Sequence, residues 1–512
     1  MSDIYSQAAG VVVYLGENTT DSDLAIDYIL DTDNPAEGNL LEFTKSAALI
    51  HALDHLFNRP WFNRVWVIQE VAFAVDATVI CGTRTFSWSA IQNFKYWVAC
   101  TEWLRELPFV VHTAKPVFRD RMSDDCSPIL TELDRARHCN ATDPRDKIYA
   151  LLPFLHVTEF GIDVSPDYRS SPAKVFTGFA AALVTKCGFR VLQSVQGRPA
   201  VSHLPSWVPD WTIRPTRMIM RPNWDEELKR LSTSEDQKHS LRVVQVEVED
   251  RSTPEGVGQM CRLRAYGYKV GHITKIGSAY LAGQGSFPLH EWMRLWMFSS
   301  NTWRRLLQFT LAKCRRKPDS TTDDTLFSND HTFVQQERER FMKVISCDRW
   351  SGWYGLSFIK TWVRMEAQRN SNGSRDESWE KAVRELARNQ TGEQARDEHV
   401  LSYKDIPFQN AGYCFISTAK AILEDVLRRC HSRRFFLTDT GYWGLAPLEA
   451  QFGDQIYYCV GGEVPFVFRS ARNTGVVDDR RHLKLIGECF TASTALEGKQ
   501  PSPDALECFD II

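Results

Sequence analysis

The sequence predicts an α/β domain built on a parallel sheet, then a helical region and a β-rich C-terminal module. Three observations carry this. Gly10-Val11-Val12-Val13-Tyr14-Leu15-Gly16 and Ala77-Thr78-Val79-Ile80-Cys81-Gly82 are β-branched runs ended by glycine, the pattern of strands buried on both faces. Helical periodicity lies between them, so strand, helix and parallel strand make a βαβ unit with the usual right-handed crossover. Near the C-terminus, Phe435 to Thr438, Asp454 to Val460 and Pro465 to Arg469 are short strand-like runs separated by glycine turns.

Composition bounds the function. At 512 residues, two to four domains are expected. The chain is 43% hydrophobic, which argues for globular domains over disorder. A net charge of −3 gives no global basic field, so nucleic acid is not an expected partner. The thirteen cysteines are scattered, without a C-x-x-C pair or a Cys/His group at zinc spacing. That fits a reducing, cytoplasmic setting. The N-terminus is too polar for a signal peptide, and the longest apolar stretch, Val175 to Val184, is half of what a bilayer needs.

A helical region is expected over 22 to 57, broken at Asn34-Pro35. The next stretch, Asn58 to Ala72, reads as a helix. Asn58 is its candidate cap, and Pro60 suits the first turn, where a missing N–H costs nothing. At 3.6 residues per turn, Trp61, Val65, Ile68 and Ala72 form one apolar stripe, with Phe62, Trp66 and Phe73 beside it. Glu70 breaks the pattern. Its neighbours three and four residues away are Trp66, Val67, Phe73 and Ala74, none of them a cation. It is either a surface glutamate at the rim of the buried face or a carboxylate in an apolar cleft with a chemical task. A ligand of the βαβ unit would sit beyond the carboxyl ends of the strands, near Gly16, Glu17 and Gly82.

Ser87 to Trp103 and Pro128 to Arg137 read as helices. Asp143-Pro144 opens another, Ile148 to Leu155, with Asp143 as its cap. Arg135, Arg137 and Arg145 either hold a phosphate at a helix start or are ordinary surface charges. Ser171-Pro172 starts a helix reaching Thr185, and Leu204 to Trp211 is a proline and aromatic clamp on a domain edge. The charge-rich stretches 222–241, 315–341 and 366–400 read as loops or solvated inserts. The tryptophans of 287–365 read as core. Cys261 to Ile276 and Arg434 to Ile486 are β-rich, consistent with a small barrel or sandwich assembled across a helical insertion.

Taken together the motifs resemble the fungal heterokaryon incompatibility (HET) domain family. Arg59-Pro60-Trp61-Phe62, Arg64, Trp66 and Gln69-Glu70 are similar to its middle block. Asp143-Pro144-Arg145-Asp146-Lys147 to Leu152 is similar to its closing block. Pro166-Asp167-Tyr168, Leu204 to Trp211, Gly441 to Pro447, Gly453-Asp454 and Pro465 to Arg469 resemble the segments that family members carry after the domain. Two blocks that open such domains, a Tyr-x-Trp-Gly-like strand and an Asp-x-x-Cys-Ile-Asn-Gln-like strand end, have no counterpart here, and the ending after Gly487 also departs. Met1 to Tyr5 resembles an internal family position, so an N-terminally truncated member is expected, with one edge of the Val11 to Leu15 strand left unpaired.

The resemblance implies a truncated flavodoxin-like, TIR-like domain over 1–160 and a helical, Pro/Trp-rich connector over 161–240. A β-rich module would be built from 241–280 plus 401–490, around a helical, charge-rich insertion at 281–400. It implies non-self recognition coupled to programmed cell death through protein partners or homo-oligomers, without a membrane span. In TIR domains a Trp-Cys-x-x-Glu run carries the glutamate that cleaves NAD, and Trp66-Val67-Ile68-Gln69-Glu70 has its spacing. Glu70 is therefore the candidate catalytic residue, with Trp66 packed beside it and NAD as the implied substrate. Cleaving the nicotinamide–ribose bond builds oxocarbenium character that a desolvated carboxylate stabilises. A non-catalytic assembly module and a non-functional remnant are the alternatives.

Overall fold

The computed structural model describes residues 2–31, 47–97, 127–153, 164–220, 246–253, 256–282, single positions between 287 and 347, 425–471, 481–492 and 506–512. The chain forms two compact units, Met1–Ser194 with Arg198–Pro215, and Val195–Gly197 with Thr216–Ile512. The expected inserts at 222–241 and 366–400 lie outside the described residues, as does most of 281–400.

In the first unit, α1 (Ser2–Gln7) leads into β1 (Val11–Tyr14). Next come α2 (Thr20–Asp31), α3 (Ala47–Phe57), a 3₁₀ turn (Pro60–Asn63) and α4 (Val67–Ala72). β2 (Ala77–Cys81) then pairs parallel to β1, Val11 opposite Ala77 and Tyr14 opposite Ile80. The strand–helix–parallel strand unit is present as the sequence suggested. Its surroundings differ in two ways. β3 (Arg84–Ser87) returns antiparallel to β2 around Gly82-Thr83, giving a sheet ordered β1-β2-β3. The helix expected from Ser87 therefore begins one residue later as α5 (Trp88–Trp97), and Ser87 ends a strand instead. The strands are also not buried on both faces. Val11 and Val13 are buried while Val12 and Tyr14 are exposed, so among the described residues one face of β1 is left uncovered.

The expected helix over 58–72 is two pieces. Arg64 is extended (φ −84°, ψ 136°), which ends the 3₁₀ turn before α4 begins. Asn63 and Val65 exchange backbone hydrogen bonds with Asn140 across this break. A remote segment thus supplies partners that a continuous helix would have found locally. Asn58 is not an N-cap, because its amide donates back to Asp54 at the end of α3. Pro60 does occupy the first turn, and Arg59 before it makes no side-chain cap.

The rest of the unit packs around α6 (Ser127–Ala136), α7 (Asp146–Tyr149) and α8 (Pro172–Cys187). Ser171 caps α8 by accepting from the Lys174 amide at 3.3 Å. With its 3₁₀ continuation to Ser194, α8 is by length and composition apolar enough to cross a membrane, contrary to the short estimate from sequence. Half of that span, however, is buried inside the fold. Phe176 and Phe179 meet the buried Trp211 edge to face, which makes α8 a core helix. Cys187 at its end is disulfide-bonded, while the other described cysteines are free thiols.

The second unit is organised on one long strand. β4 (Val246–Thr253) and β5 (Gly256–Tyr280) form a hairpin, and β6 (Arg433–Thr438), β7 (Trp443–Pro447), β8 (Gln455–Cys459), β9 (Phe466–Ser470), β10 (Arg481–Glu488), β11 (Phe490–Ala492) and β12 (Leu506–Ile511) follow. The order β5-β12-β10-β9-β8 closes on itself through β5–β8 pairing. Closure leaves those strands without a free edge. Tyr457, Phe468 and Phe509 pack inside the ring. The other end of β5 carries β6, β7 and β11, reached by register shifts after Lys269, Ile273 and Ile276. Trp292, within the stretch read as core, is fully buried and stacks on Phe435.

Candidate functional site

Trp66 and Gln69 of the middle block meet Asp146 and Ala150 of the closing block in one hydrogen-bonded junction of the first unit. Trp66 immediately precedes α4, and its indole donates to Asp146 Oδ2 at 3.0 Å. One turn on, buried Gln69 donates to the Ala150 carbonyl at 2.9 Å. Asp146 opens α7, so a half-buried indole and a carboxylate bind the middle block to the closing block. Tyr168 donates to the other oxygen of Asp146 at 2.6 Å, and partial burial together with that hydrogen bond raises its phenol pKa. Tyr149 donates to the Asp167 carbonyl and accepts from the Asp167 amide.

Arg145 fastens the same corner. It makes three contacts with Asp143, from its backbone N–H and Nε to Oδ1 and from Nη2 to Oδ2, at 2.6 to 2.9 Å. Arg145 holds the Asp143 carboxyl below the usual carboxylate range. Its Nη1 donates to the carbonyls of Tyr168 and Ser170, and its guanidinium lies over the Tyr168 ring, 5.1 Å from the centroid. Asp143 accepts from the Arg145 amide in the turn before α7, but it is not the expected helix cap: α7 is short, begins at Asp146 rather than Ile148, and has Arg145 at its N-cap without a side-chain cap bond. Pro144 sits between Asp143 and Arg145, where the Asp146 amide closes back on the Asp143 carbonyl at 3.1 Å.

Lys147 points the other way, into the C-terminus of α6. Its ammonium donates to the carbonyls of Ala136, Arg137 and Cys139, at and just past that helix end. Burial pushes the lysine pKa down to about 8. Arg137 is not a surface charge, being 1% exposed. It donates to the carbonyls of Ile213 and Ser194 and to Asp134. Arg135 is paired with Glu132 on the surface. The three arginines therefore have three separate protein partners and do not converge on a phosphate.

Glu70 is half-buried and accepts from the Trp61 indole at 3.1 Å. Trp61, also half-buried, stands edge-on to Phe62 and Trp88. α1 packs against α4, and Glu70 joins burial in raising the Tyr5 phenol pKa, opposed by Arg64, which is exposed. The strand-end residues make a different neighbourhood. The Gly82 amide donates to the Gly16 carbonyl at 2.8 Å, and Arg59 Nη1 donates to the Leu15 carbonyl at 2.8 Å. Glu17 accepts from the Tyr14 hydroxyl. Gly16 and Gly82 both have positive φ, and a Cβ on Gly82 would collide with Asn18. Arg59 and Trp61, two residues apart, thus serve the carboxyl ends of the strands and Glu70 respectively.

Among the residues proposed from sequence, the structure joins Trp66, Gln69, Asp143, Arg145 and Asp146. It sets Glu70 with Trp61, and Gly16 and Gly82 with Arg59. Tyr149, Asp167 and Tyr168 belong to the junction although sequence reasoning gives them no role. Their one signal is the proximity of Pro166-Asp167-Tyr168 to the closing block.

Comparison with known proteins matches residues 1–70 to the heterokaryon incompatibility protein (HET) family and residues 353–495 to the Het-6 β-barrel domain. The first match ends at Glu70. The chain is 24% identical to heterokaryon incompatibility protein 6, OR allele, of Neurospora crassa, over 96% of this chain and 76% of that protein. No solved structure matches.

Proposed function

We infer that this chain, a heterokaryon incompatibility protein by its HET segment and Het-6 β-barrel, acts in non-self recognition in a filamentous fungus. Cell death is the proposed output, the cytoplasm the proposed setting, and protein partners the proposed ligands. The first unit works here as a non-catalytic signalling and assembly module. The observation that favours this is the junction itself: the polar groups of Trp66, Gln69, Arg145, Asp146 and Lys147 all serve internal hydrogen bonds. A flavodoxin-like, TIR-like ancestry fits the β1–helix–β2 crossover, with the β3 hairpin as a local departure.

A second reading, NAD hydrolysis through Glu70, has one supporting observation. The carboxylate is half-buried beside Trp61 and has no cation bonded to it among the described residues. Expression of wild-type and Glu70→Gln chains in a compatible host, with cell death and cellular NAD followed together, separates the two. The assembly reading expects both chains to kill equally without NAD loss. NAD loss that needs the carboxylate would replace it with the enzyme reading.

A further inference from the structure

The segment after the closing block carries a serine that the junction does not use. Ser171 precedes α8 and is followed by Pro172, Ala173 and Lys174. Ser-Pro and Thr-Pro steps occur at Ser127, Ser165, Ser171, Thr253 and Ser502, and Ser171 alone has a lysine or arginine three positions on. We propose that Ser171 is a phosphorylation site for a proline-directed protein kinase that also reads a basic residue at the third following position, and that the phosphate tightens the start of α8. This goes beyond the assembly reading and does not rest on it.

Each feature of the segment has a physical reason. A kinase that offers no acceptor to the N–H after the serine penalises every residue that carries one, and proline carries none. A lysine at a fixed distance adds a charge-assisted contact to an acidic subsite. Ser171 is exposed, with an extended backbone (φ −65°, ψ 152°), and Lys174 is exposed one turn on. Residues 165–169, which lead up to it, are exposed as well. Among the described residues the Ser171 hydroxyl makes one hydrogen bond, accepting from the Lys174 amide at 3.3 Å, which is long. Presenting the site to a kinase opens only the first turn of α8, and helix ends fray readily.

The transfer and its consequence follow from the same groups. The γ-phosphoryl group of ATP forms a P–O bond to Ser171 Oγ as its bond to the β–γ bridging oxygen breaks. ADP leaves with that electron pair, and the hydroxyl proton goes to the base of the kinase. A dianion then replaces a neutral acceptor at the capping position, where the Lys174 amide donates and the helix end favours negative charge. Arg169 and Lys174 are the cations nearest in sequence, and Arg145 reaches the adjoining Ser170 carbonyl at 2.6 Å. Asp167, the acid of the same segment, is held by the Ser170 hydroxyl and the Arg169 amide.

The chain supplies its own control. Ser165 is exposed and followed by proline, yet Asp167 and Tyr168 stand second and third after it. The test incubates the purified full chain with ATP and an active cyclin-dependent kinase, with intact mass and peptide mapping followed over time. Ser171 is expected to be labelled faster than Ser165 by about tenfold or more, the worth of one charge-assisted contact. Lys174→Ala, at an exposed helical position, should slow Ser171 by about the same factor. The phosphorylated chain should melt at a higher midpoint than the same chain after phosphatase treatment, with a smaller gain in high salt. No label on Ser171, equal rates at Ser165 and Ser171, or a midpoint unchanged or lowered by the phosphate overturns the proposal.

Discussion

Trp66 and Asp146, 80 residues apart in sequence, are joined by a 3.0 Å hydrogen bond from indole to carboxylate. Both come from the sequence blocks that resemble the family's motifs, so the bond is the point at which the middle and closing blocks become one structure.

Trp66→Phe keeps most of the ring and removes the donor. It should destabilise the first unit by about 1.5–3 kcal/mol, the range for a hydrogen bond to a charged group. In urea denaturation, a double-mutant cycle with Asp146→Asn should show a coupling of roughly 0.5–3 kcal/mol. Strictly additive losses would mean that the contact carries no energy.

Glu70→Gln preserves an oxygen acceptor for the Trp61 indole. Thermal unfolding should therefore place it within about 1 kcal/mol of wild type, whereas Glu70→Ala, which leaves the indole N–H unpaired, should lose about 1–3 kcal/mol. Equal melting of all three proteins would remove the hydrogen bond from any account of stability.

Lys147 makes stability pH-dependent in a definite direction. Its folded pKa of about 8 lies below the ordinary lysine value of 10.5 because burial disfavours the charge. Between those values the unfolded chain binds more protons, so this group's contribution rises with pH from about 8 to about 10.5 and is flat below. Denaturation of wild type and Lys147→Met at pH 8 and pH 10 should show a shallower rise in the variant. A steeper rise would contradict the buried placement.

The Arg433–Glu488 pair, 2.7 Å apart with both side chains at most 1% exposed, joins β6 to the ring strand β10. Glu488 also accepts from the Met220 amide, and Arg433 donates to the Met218 carbonyl. Removing one partner leaves a buried charge alone, which costs about 3–5 kcal/mol. Arg433→Met should therefore abolish cooperative unfolding of the second unit or lower its midpoint sharply, read by near-UV circular dichroism.

Gly82→Ala should destabilise the first unit by about 2–4 kcal/mol, from a left-handed backbone of φ +55° and a collision with Asn18. Asn18→Gly in the same chain should restore part of the loss. Its failure to do so would place the whole cost in the backbone.

Local chemistry made much of this legible. The β-branched runs with glycine ends are strands, Ser171-Pro172 is a capped helix start, and the glycine-separated runs near the C-terminus are β6, β8 and β9. Each is decided by residues a few positions apart, through side-chain branching, fixed φ or a missing N–H. The motif residues were legible as a group for the same reason, since they keep fixed spacings. Their purpose was not. A tryptophan and an aspartate 80 positions apart carry no mark that one donates to the other.

What the sequence determined by itself is the kind of element at each place and the membership of the motif blocks. Tertiary structure alone decided that Asn140 would interrupt the helix at Arg64, that Arg137 would be buried against the Ile213 and Ser194 carbonyls, and that β3 would return antiparallel. It also decided that helices would cover one face of β1 and leave Val12 and Tyr14 exposed. The physical reason is common to all four. A backbone amide or a guanidinium takes whichever carbonyl the folded chain brings within reach, and a strand's second face is buried only if another layer arrives to cover it.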